Sequence, residues 1–198
     1  RRALFRATLS PMADAAERRA TYADILNAPA HHVAEIVFGV LHTHPRPAAR
    51  HARAASRLGG ELDGPFDRGR GGPGGWILLD EPELHLGEDV LVPDLAGWRR
   101  ARMPQFPYDA AHFTLAPDWV CEVLSPSTSK LDRGDKLTVY AREHVSHTWL
   151  LDPLDRTLEI LRLEGERWVR LAFYKDAELM RGEPFDAIEF ALSGLWPD

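Results

Sequence analysis

Apolar residues along the chain fall into short runs separated by turn-forming residues, and two of these runs have almost no polar face. They are residues 118–124 (DWVCEVL) and 147–153 (HTWLLDP). Strands that are apolar on both faces lie in the interior of a sheet. The residues between them, 129–144 (SKLDRGDKLTVYAREH), have a helical pattern. Strand, helix and strand in this order predict a right-handed parallel unit, with 118–124 central in the sheet.

Two stripes run along the predicted helix 129–144. One contains Asp132, Lys136 and Tyr140, each one helical turn from the next. The other is mostly apolar, and we predict that it faces the core; its members are Leu137, Tyr140, Ala141 and His144. A lysine on the first stripe can point to the carboxyl end of strand 118–124.

Three further patterns predict strands. Residues 156–174 (RTLEILRLEGERWVRLAFY) alternate on either side of a Glu-Gly-Glu turn, which predicts a C-terminal hairpin. Residues 34–43 (AEIVFGVLHT) contain Gly39 within an apolar run, which indicates a strand or a hairpin. Residues 76–84 and 89–98 predict two strands joined by a turn.

Two segments outside the strands predict helices, and one predicts a loop. Residues 21–28 indicate a short helix with Thr21 as its N-cap. Residues 48–63 are rich in alanine and arginine and predict a helix that a pair of glycines weakens. Glycine and proline dominate residues 64–75, which predicts a loop within the domain. The whole pattern predicts an α/β fold: a mixed sheet flanked by helices, with hairpins near both ends.

The length predicts one domain. The chain has 198 residues, which is enough for a single core. Residues 1–11 contain arginines but no acidic residue, and Met12 follows them. We expect residues 1–11 to be a leader or an added segment without ordered structure, and residues 12–198 to form a single domain.

Charge and cysteine content narrow the class of protein. The formal net charge is -6 at pH 7, whereas a protein that binds nucleic acid over its whole surface is normally basic. Contact with nucleic acid must therefore be local or rely on metal ions. The single cysteine, Cys121, excludes an internal disulfide and fits a reducing cytoplasm. The sequence has no run of 18 apolar residues, so it predicts no membrane-spanning segment.

Positive charge is concentrated in three short segments, any one of which is also consistent with an ordinary solvated surface. The residues are Arg46, Arg50, Arg53 and Arg57, then Arg68 and Arg70, then Arg99, Arg100 and Arg102.

Two carboxylates interrupt apolar strand patterns. Asp94 follows Pro93 in one, and Glu122 lies between Cys121 and Val123 in another. A buried carboxylate is costly unless something pairs with it. A divalent cation would pair with both, and Mg²⁺ binds a few carboxylate oxygens while leaving positions for phosphate oxygens. The backbone carbonyl of Val123 is a further candidate ligand. The alternative is that each acid caps a strand or pairs with an arginine.

Lys136 is a candidate partner for this pair of acids. Its amine would orient an attacking water and offset charge on a phosphate. The alternatives are a solvent-facing lysine or an i,i+4 pair with Asp132. The residue pattern alone does not favour the catalytic role.

Three strings carry a family resemblance: VPDLAGWRR, then PDWVCEVLSPSTSKLDRGDKLTVYAREHV, then HTWLLDP. They resemble the Uma family of restriction endonucleases, a bacterial branch of the PD-(D/E)XK nuclease superfamily. The resemblance runs from about Thr21 to Trp196, and its most specific part is EVLSPST with the downstream GDK and tyrosine. It implies a restriction-endonuclease-like fold in which Asp94 and Glu122 bind the metal.

The resemblance also assigns roles at positions that the residue pattern does not single out. The superfamily lysine would stand at Leu124, but in the resembling family it has moved to the following helix, which corresponds to Lys136. Glu35 would be a third acid near the metal, and His51 would contact phosphate or water. The alternatives are an edge-strand carboxylate and a surface histidine. The family's second glutamate after the hairpin glycine is Val40 here.

Other polar residues are explained more simply. Asp152 fits the family pattern, but a turn before Pro153 accounts for it better than catalysis does. Four histidines raise the question of zinc, although no partner cysteines or HExxH spacing support it. They are His31, His32, His42 and His44.

Together these features predict an endonuclease that hydrolyses DNA phosphodiester bonds with Mg²⁺, or alternatively Mn²⁺. A homodimer would supply two sites for two strands, though no residue indicates one. The main alternative is a non-catalytic module on the same fold that binds nucleic acid or protein, which Leu124 and the acidic net charge favour. A glycosidic hydrolase is a third hypothesis, which the strand pairing and the lysine fit poorly.

Overall fold

The computed structural model describes residues 18–196, so the predicted leader at residues 1–11 lies outside the described part. The helices are α1 (Tyr22–Leu26), α2 (Ala49–Leu62), α3 (Ser129–Asp132) and α4 (Asp135–Arg142). The strands are β1 (His32–Val37), β2 (Val40–Pro45), β3 (Trp76–Asp80), β4 (Leu84–Leu86), β5 (Asp89–Leu91), β6 (Leu95–Arg99), β7 (Trp119–Val123), β8 (His147–Asp152), β9 (Thr157–Glu164), β10 (Arg167–Lys175), β11 (Leu179–Met180) and β12 (Phe190–Ala191). None of the helices in this range has the length and apolar composition needed to cross a membrane.

The main sheet has six strands in the order β10-β9-β8-β7-β6-β3. β7 and β8 are parallel, and the other neighbours in this sheet are antiparallel. α3 and α4 connect β7 to β8, as the strand–helix–strand pattern predicts. β7 has a neighbour on each side and all five of its residues are buried, which confirms its central position. The predicted C-terminal hairpin is β9 and β10, at one edge of this sheet.

A second sheet has the order β2-β1-β5-β4. The turn between β1 and β2 is Phe38-Gly39, with φ of 52° and 80°. Positive φ at both central residues is the geometry of a type I′ hairpin turn, and glycine adopts it without steric cost. The N-terminal hairpin is therefore confirmed. Glu35 is on β1, which has β2 on one side and β5 on the other, so it is not an edge-strand carboxylate.

The main sheet separates two apolar layers. On one side, α2 packs through Ala54, Leu58 and Leu62 against a cluster that includes Trp119 and Trp149. On the other side, buried residues of α4 pack against alternate residues of β7. The alternation along β7 places the side chain of its acid, at position 122, on the α4 side of the sheet.

Residues 76–98 form four strands, so the prediction of two strands is wrong. β3 pairs with β6 in the main sheet, while β4 and β5 form a short hairpin in the second sheet. Asp94 lies immediately before β6 and not inside a strand. The apolar run conceals the change of sheet because residues of both sheets are buried.

Residues 129–144 form two helices where one was predicted. Gly134 separates α3 from α4, and a Cβ at this position would lie 2.9 Å from the carbonyl oxygen of Lys130. The break therefore depends on glycine. The predicted core stripe is correct for Tyr140, which is buried in the core, and for Leu137, which packs against it. It is wrong for His144, which is exposed.

The loop predicted for residues 64–75 begins with helical structure. Asp63–Asp67 continues α2 as a π-helical turn and buries Phe66 in the core below α2. The burial of Phe66 therefore anchors the start of this glycine-rich segment to the core, which its composition alone does not predict.

Candidate active site

Polar side chains from both sheets and from three helices line one cavity of about 290 Å³. The cavity lies where β1 of the second sheet meets β7 of the main sheet. The titratable residues nearest its floor are Glu35 on β1, His51 in the first turn of α2, Asp94 before β6, Glu122 on β7, Asp132 on α3 and Lys136 on α4. Each of the five side chains predicted for the site lines this cavity.

Lys136 lies at the centre of this group. Its Nζ is 2.9 Å from Glu122 Oε1, 3.0 Å from Glu35 Oε1 and 3.4 Å from Asp132 Oδ1. Only 2% of Lys136 is exposed, so the solvent-facing alternative is wrong. The i,i+4 pair with Asp132 exists, but it is the longest of the three contacts. The stripe of Asp132, Lys136 and Tyr140 is confirmed across the helix break.

Burial and charge act in opposite directions on Lys136. Burial lowers the pKa of its ammonium group, but Glu122 and Glu35 outweigh that effect and hold the pKa well above its ordinary value. The amine is therefore protonated. Burial raises the pKa of the Glu122 carboxyl well above its ordinary value; Lys136 opposes the rise, while Asp132 and Asp94 add to it.

Two residues of the cluster had no functional assignment from sequence. Asp132 is 3% exposed and supplies a fourth carboxylate. Tyr140 Oη donates a hydrogen bond of 2.5 Å to Glu122 Oε1, the oxygen that also contacts Lys136. Burial, followed by the charge of Glu122, raises the pKa of the Tyr140 hydroxyl well above its ordinary value, so it remains a donor. The signal for both residues was their one-turn spacing from Lys136.

Backbone amides hold two of the carboxylates in place. The Val123 amide donates to Asp94 Oδ2 at 2.7 Å, which ties the residue before β6 to the end of β7. The Val92 amide donates to Glu35 Oε1 at 2.8 Å. Each acid thus has one oxygen bound to the adjoining strand or its extension, and its orientation does not depend on a flexible partner.

His51 lies beside Asp94 at the start of α2. Its Nε2 is 3.3 Å from Asp94 Oδ1. Burial lowers the pKa of the imidazole, but Asp94 and the backbone of Val123 raise it to above its ordinary value overall. The alternative of a surface histidine is wrong, because the His51 side chain is only 12% exposed and lines the cavity.

The ligand types in the cavity fit a hard divalent cation. Asp94 and Glu122 offer carboxylate oxygens from neighbouring elements, and the backbone of Val123 adjoins Asp94. The four carboxylates exceed the charge of the single buried ammonium group, and a cation would balance that excess. Mg²⁺ usually takes one or two protein carboxylates and keeps several waters, so it does not need a closed set of protein ligands.

Several other residues considered from sequence lie elsewhere or have another role. Asp152 Oδ1 accepts hydrogen bonds from the amides of Leu154 and Asp155, at 2.9 and 3.0 Å, so it caps the turn after β8. Leu124 is buried in a small cluster with Leu150 and Leu161 and supplies no polar group. His44 lines the cavity, but within residues 18–196 the four histidines at positions 31, 32, 42 and 44 form no three-ligand group.

Comparison with known proteins agrees with this architecture. The crystal structure described as "a putative nuclease belonging to DUF820 from Anabaena variabilis ATCC 29413" superposes with a TM-score of 0.72 and 20% sequence identity. The alignment covers 89% of this chain and 97% of that one, and at this identity it shows a shared fold. No curated protein matches the sequence. A family model, Uma2, described as "Putative restriction endonuclease", matches residues 20–193. The chain belongs to the Uma2 family and has its mixed α/β nuclease fold.

Proposed function

We propose that the protein is a Mg²⁺-dependent endonuclease that hydrolyses DNA phosphodiester bonds, with Mn²⁺ as an alternative cofactor. Asp94 and Glu122, with the carbonyl of Val123, would hold the metal. Lys136, Glu35 and His51 would complete the catalytic site.

The observation that carries this proposal is the buried Lys136 ammonium group among carboxylates at the floor of an open cavity. A structural ion pair would need one acid for one base, but here acids are in clear excess. Such an excess is unfavourable in a buried site unless a cation joins it. Strongly perturbed ionisable groups in a cleft are also characteristic of catalytic sites.

The bound metal would activate a water and neutralise charge on the scissile phosphate. Lys136 would hold a protonated amine next to the metal-binding carboxylate of Glu122, where it can orient that water and stabilise negative charge. Glu35 would position the Lys136 amine, because the Val92 amide fixes the orientation of the Glu35 carboxylate. Lys136 would in this way take the part of the lysine that is absent at Leu124.

The entrance of the cavity has features that suit a phosphate. The N-terminus of α2 borders it, and no side chain caps that helix at Ala48. Free amides at a helix N-terminus attract anions. Arg46 lines the cavity, and Arg50 and Arg53 are exposed on α2. Local positive charge of this kind is what an acidic protein needs to bind DNA.

Plasmid nicking tests the proposal. Wild-type protein should nick or cleave DNA with Mg²⁺ or Mn²⁺ but not with EDTA. Asp94→Asn and Glu122→Gln should each lower the rate about 100-fold or more, the scale expected when one electrostatic contact to the reacting group is lost. Glu166→Gln, in the exposed β9–β10 turn, is the matched control and should retain wild-type activity. Equal activity of all four proteins would refute the assignment.

A second candidate is a catalytically degenerate module that binds nucleic acid or protein. It is favoured by the occupation of the Lys136 amine by three carboxylates, which leaves no free donor until one of them moves. Titration with Mn²⁺ separates the two. The module would be supported if wild-type protein binds DNA and shows no Mn²⁺ binding that depends on Asp94 and Glu122. Sedimentation of the DNA complex would show whether a homodimer forms.

A further inference from the structure

A second group of metal-ligating side chains lies outside the cavity. Glu83 precedes β4, His85 is the central residue of β4, and His112 belongs to the segment between β6 and β7. One ligand atom from each lies within 4.8 Å of the other two, the one such three-ligand group among residues 18–196. We propose that Glu83, His85 and His112 form a binding site for a transition-metal ion of the Zn²⁺ type.

The backbone around the group is held by hydrogen bonds. The His85 amide donates to the Phe113 carbonyl at 2.8 Å, and the Phe113 amide donates to the Glu83 carbonyl at 2.9 Å. These bonds form a parallel bridge between Leu84 and Phe113. Because both strand-like segments are fixed, the three side chains meet without any need for the main chain to move, which is what a preorganised site requires.

A neighbouring tyrosine supports the carboxylate. Tyr22 Oη donates to Glu83 Oε1 at 2.8 Å, and its ring lies edge-on to His85 with 4.9 Å between centroids. His85 Nε2 is itself 2.7 Å from the same oxygen. Metal-binding carboxylates and imidazoles are commonly oriented by such outer contacts. The side chains of Glu83 and His85 are 25% and 21% exposed, so an ion can reach them from solvent.

The ligand types select the metal. Two imidazoles and one carboxylate suit Zn²⁺, Co²⁺ or Ni²⁺, whereas Mg²⁺ prefers oxygen ligands alone. The rings of His85 and His112 are stacked, with centroids 3.8 Å apart and planes 11° from parallel. Parallel rings cannot both direct a nitrogen lone pair at one ion, so binding must turn His112 away from the stack. Three protein ligands would leave the fourth tetrahedral position of Zn²⁺ to water.

The location gives the ion a structural effect. It would join β4 of the second sheet to the segment between β6 and β7 of the main sheet. β6 begins directly after Asp94, and β7 carries Glu122. Binding would therefore stabilise the connection between the two sheets without using any residue of the cavity. The site is independent of the proposed nuclease activity.

Calorimetric titration of EDTA-treated, dialysed protein with ZnCl₂ tests the site. Wild-type protein should bind one equivalent of Zn²⁺ at this site, in addition to any ion held by Asp94 and Glu122, and it should unfold at a higher temperature with the ion than without it. His85→Ala and His112→Ala should each weaken Zn²⁺ binding about tenfold or more. His144→Asn is the matched control, because it removes an exposed histidine at a position with φ of 59°, which asparagine tolerates.

Asp94→Asn separates this site from the cavity. The Zn²⁺ affinity of this site should be unchanged in Asp94→Asn and should fall about tenfold or more in His112→Ala, whatever the outcome of the nuclease assay. Co²⁺ added to wild-type protein should give visible absorption bands that are absent in His112→Ala. Absence of Zn²⁺ binding to wild-type protein, or binding that depends on Asp94 and not on the two histidines, would overturn the proposal.

Discussion

At Lys136 one ammonium group contacts three carboxylates within 3.4 Å, almost entirely out of contact with water. Removing a charged group from water is expensive, and a buried ion pair is tolerated only when its members compensate each other. The acids of this cluster therefore depend on Lys136 whenever no metal is bound. Lys136 is a stabilising residue of the metal-free protein as well as a proposed catalytic one.

Substitution of Lys136 tests this dependence. Lys136→Met keeps the length of the side chain but leaves Glu35, Glu122 and Asp132 without their shared cation. We expect the free energy of unfolding in EDTA to fall by about 3–5 kcal/mol, the usual effect of removing one partner from a buried pair. Urea denaturation at pH 7 measures it.

The control for that experiment is Lys130→Met, which removes an exposed lysine from α3. It should change the free energy of unfolding by no more than about 0.5 kcal/mol, as surface substitutions usually do. If the two variants have equal stability, the ion-pair cluster contributes nothing to the metal-free protein.

At the scale of single residues, the sequence pattern draws attention to polar groups that interrupt apolar runs. Asp94 and Glu122 stand within apolar stretches, so their need for a partner can be read from the sequence. Lys136 stands among charged residues, and its burial cannot be read in the same way. Its assignment came from the family resemblance, and the structure places its amine against Glu122.

Among the elements, α2 has different roles along its length and on its different faces. Its buried face packs on the main sheet, and its first turn brings His51 to the cavity. Arg57 donates to the backbone carbonyl of Trp196, so it has an internal partner. Arg50 and Arg53 are exposed on the same helix, on either side of His51 in the sequence. This division leaves the N-terminal half of α2 available for a nucleic-acid backbone.

We predict that Arg50→Ala/Arg53→Ala weakens DNA binding without changing the fold. The slope of log K against log salt should fall in magnitude by about 0.9 for each phosphate contact that is lost. Fluorescence anisotropy with labelled duplex DNA over a range of NaCl concentrations measures this slope.

Arg167→Ala provides the comparison, since it removes an exposed arginine from the edge strand β10. Its salt dependence should equal that of the wild-type protein. If the double variant on α2 has the same salt dependence as Arg167→Ala, the DNA-binding surface does not include this helix.

The elements that were predicted wrongly differ in physical cause. Residues 129–144 have a continuous helical pattern, but Gly134 brings the backbone so close to Lys130 that α3 and α4 separate. Residues 76–98 contain two apolar-rich runs, and each run passes from one sheet to the other. In the helical segment the break depends on one glycine, whereas in residues 76–98 contacts with distant residues decide which sheet each strand joins.

At the scale of the whole molecule, a polar cluster joins the main sheet to the C-terminal segment. His147 Nε2 is 3.1 Å from Glu183 Oε2, and Arg162 donates to the same carboxylate at 3.1 Å. Burial lowers the pKa of His147 below its usual value of 6.5; Glu183 acts against this shift, and Arg162 and Arg99 add to it. The native protein therefore binds a proton at His147 less readily than the unfolded chain does.

This difference predicts a pH dependence of stability. On acidification the unfolded chain takes up the proton before the native protein does, so acidification favours unfolding. The contribution of neutral His147 to stability is therefore present above pH 6.5 and is lost as pH falls through the native pKa. The stability of wild-type protein relative to His147→Gln should therefore decline between neutral pH and pH 5. Urea denaturation at several pH values measures it. A difference that stays constant, or grows on acidification, would contradict the assignment.

Sequence by itself determined the features that depend on neighbours along the chain or on alternation: the central strand β7, the parallel unit with β8, both hairpins and the two acids, Asp94 and Glu122, that interrupt apolar runs. Periodicity and burial are local properties, and they act in the same way in any fold. Tertiary structure alone decided that Glu35, His51, Asp132 and Lys136 meet Glu122 in one cavity. These contacts join residues up to about a hundred positions apart, and they arise from the packing of two sheets and three helices, which no local pattern specifies.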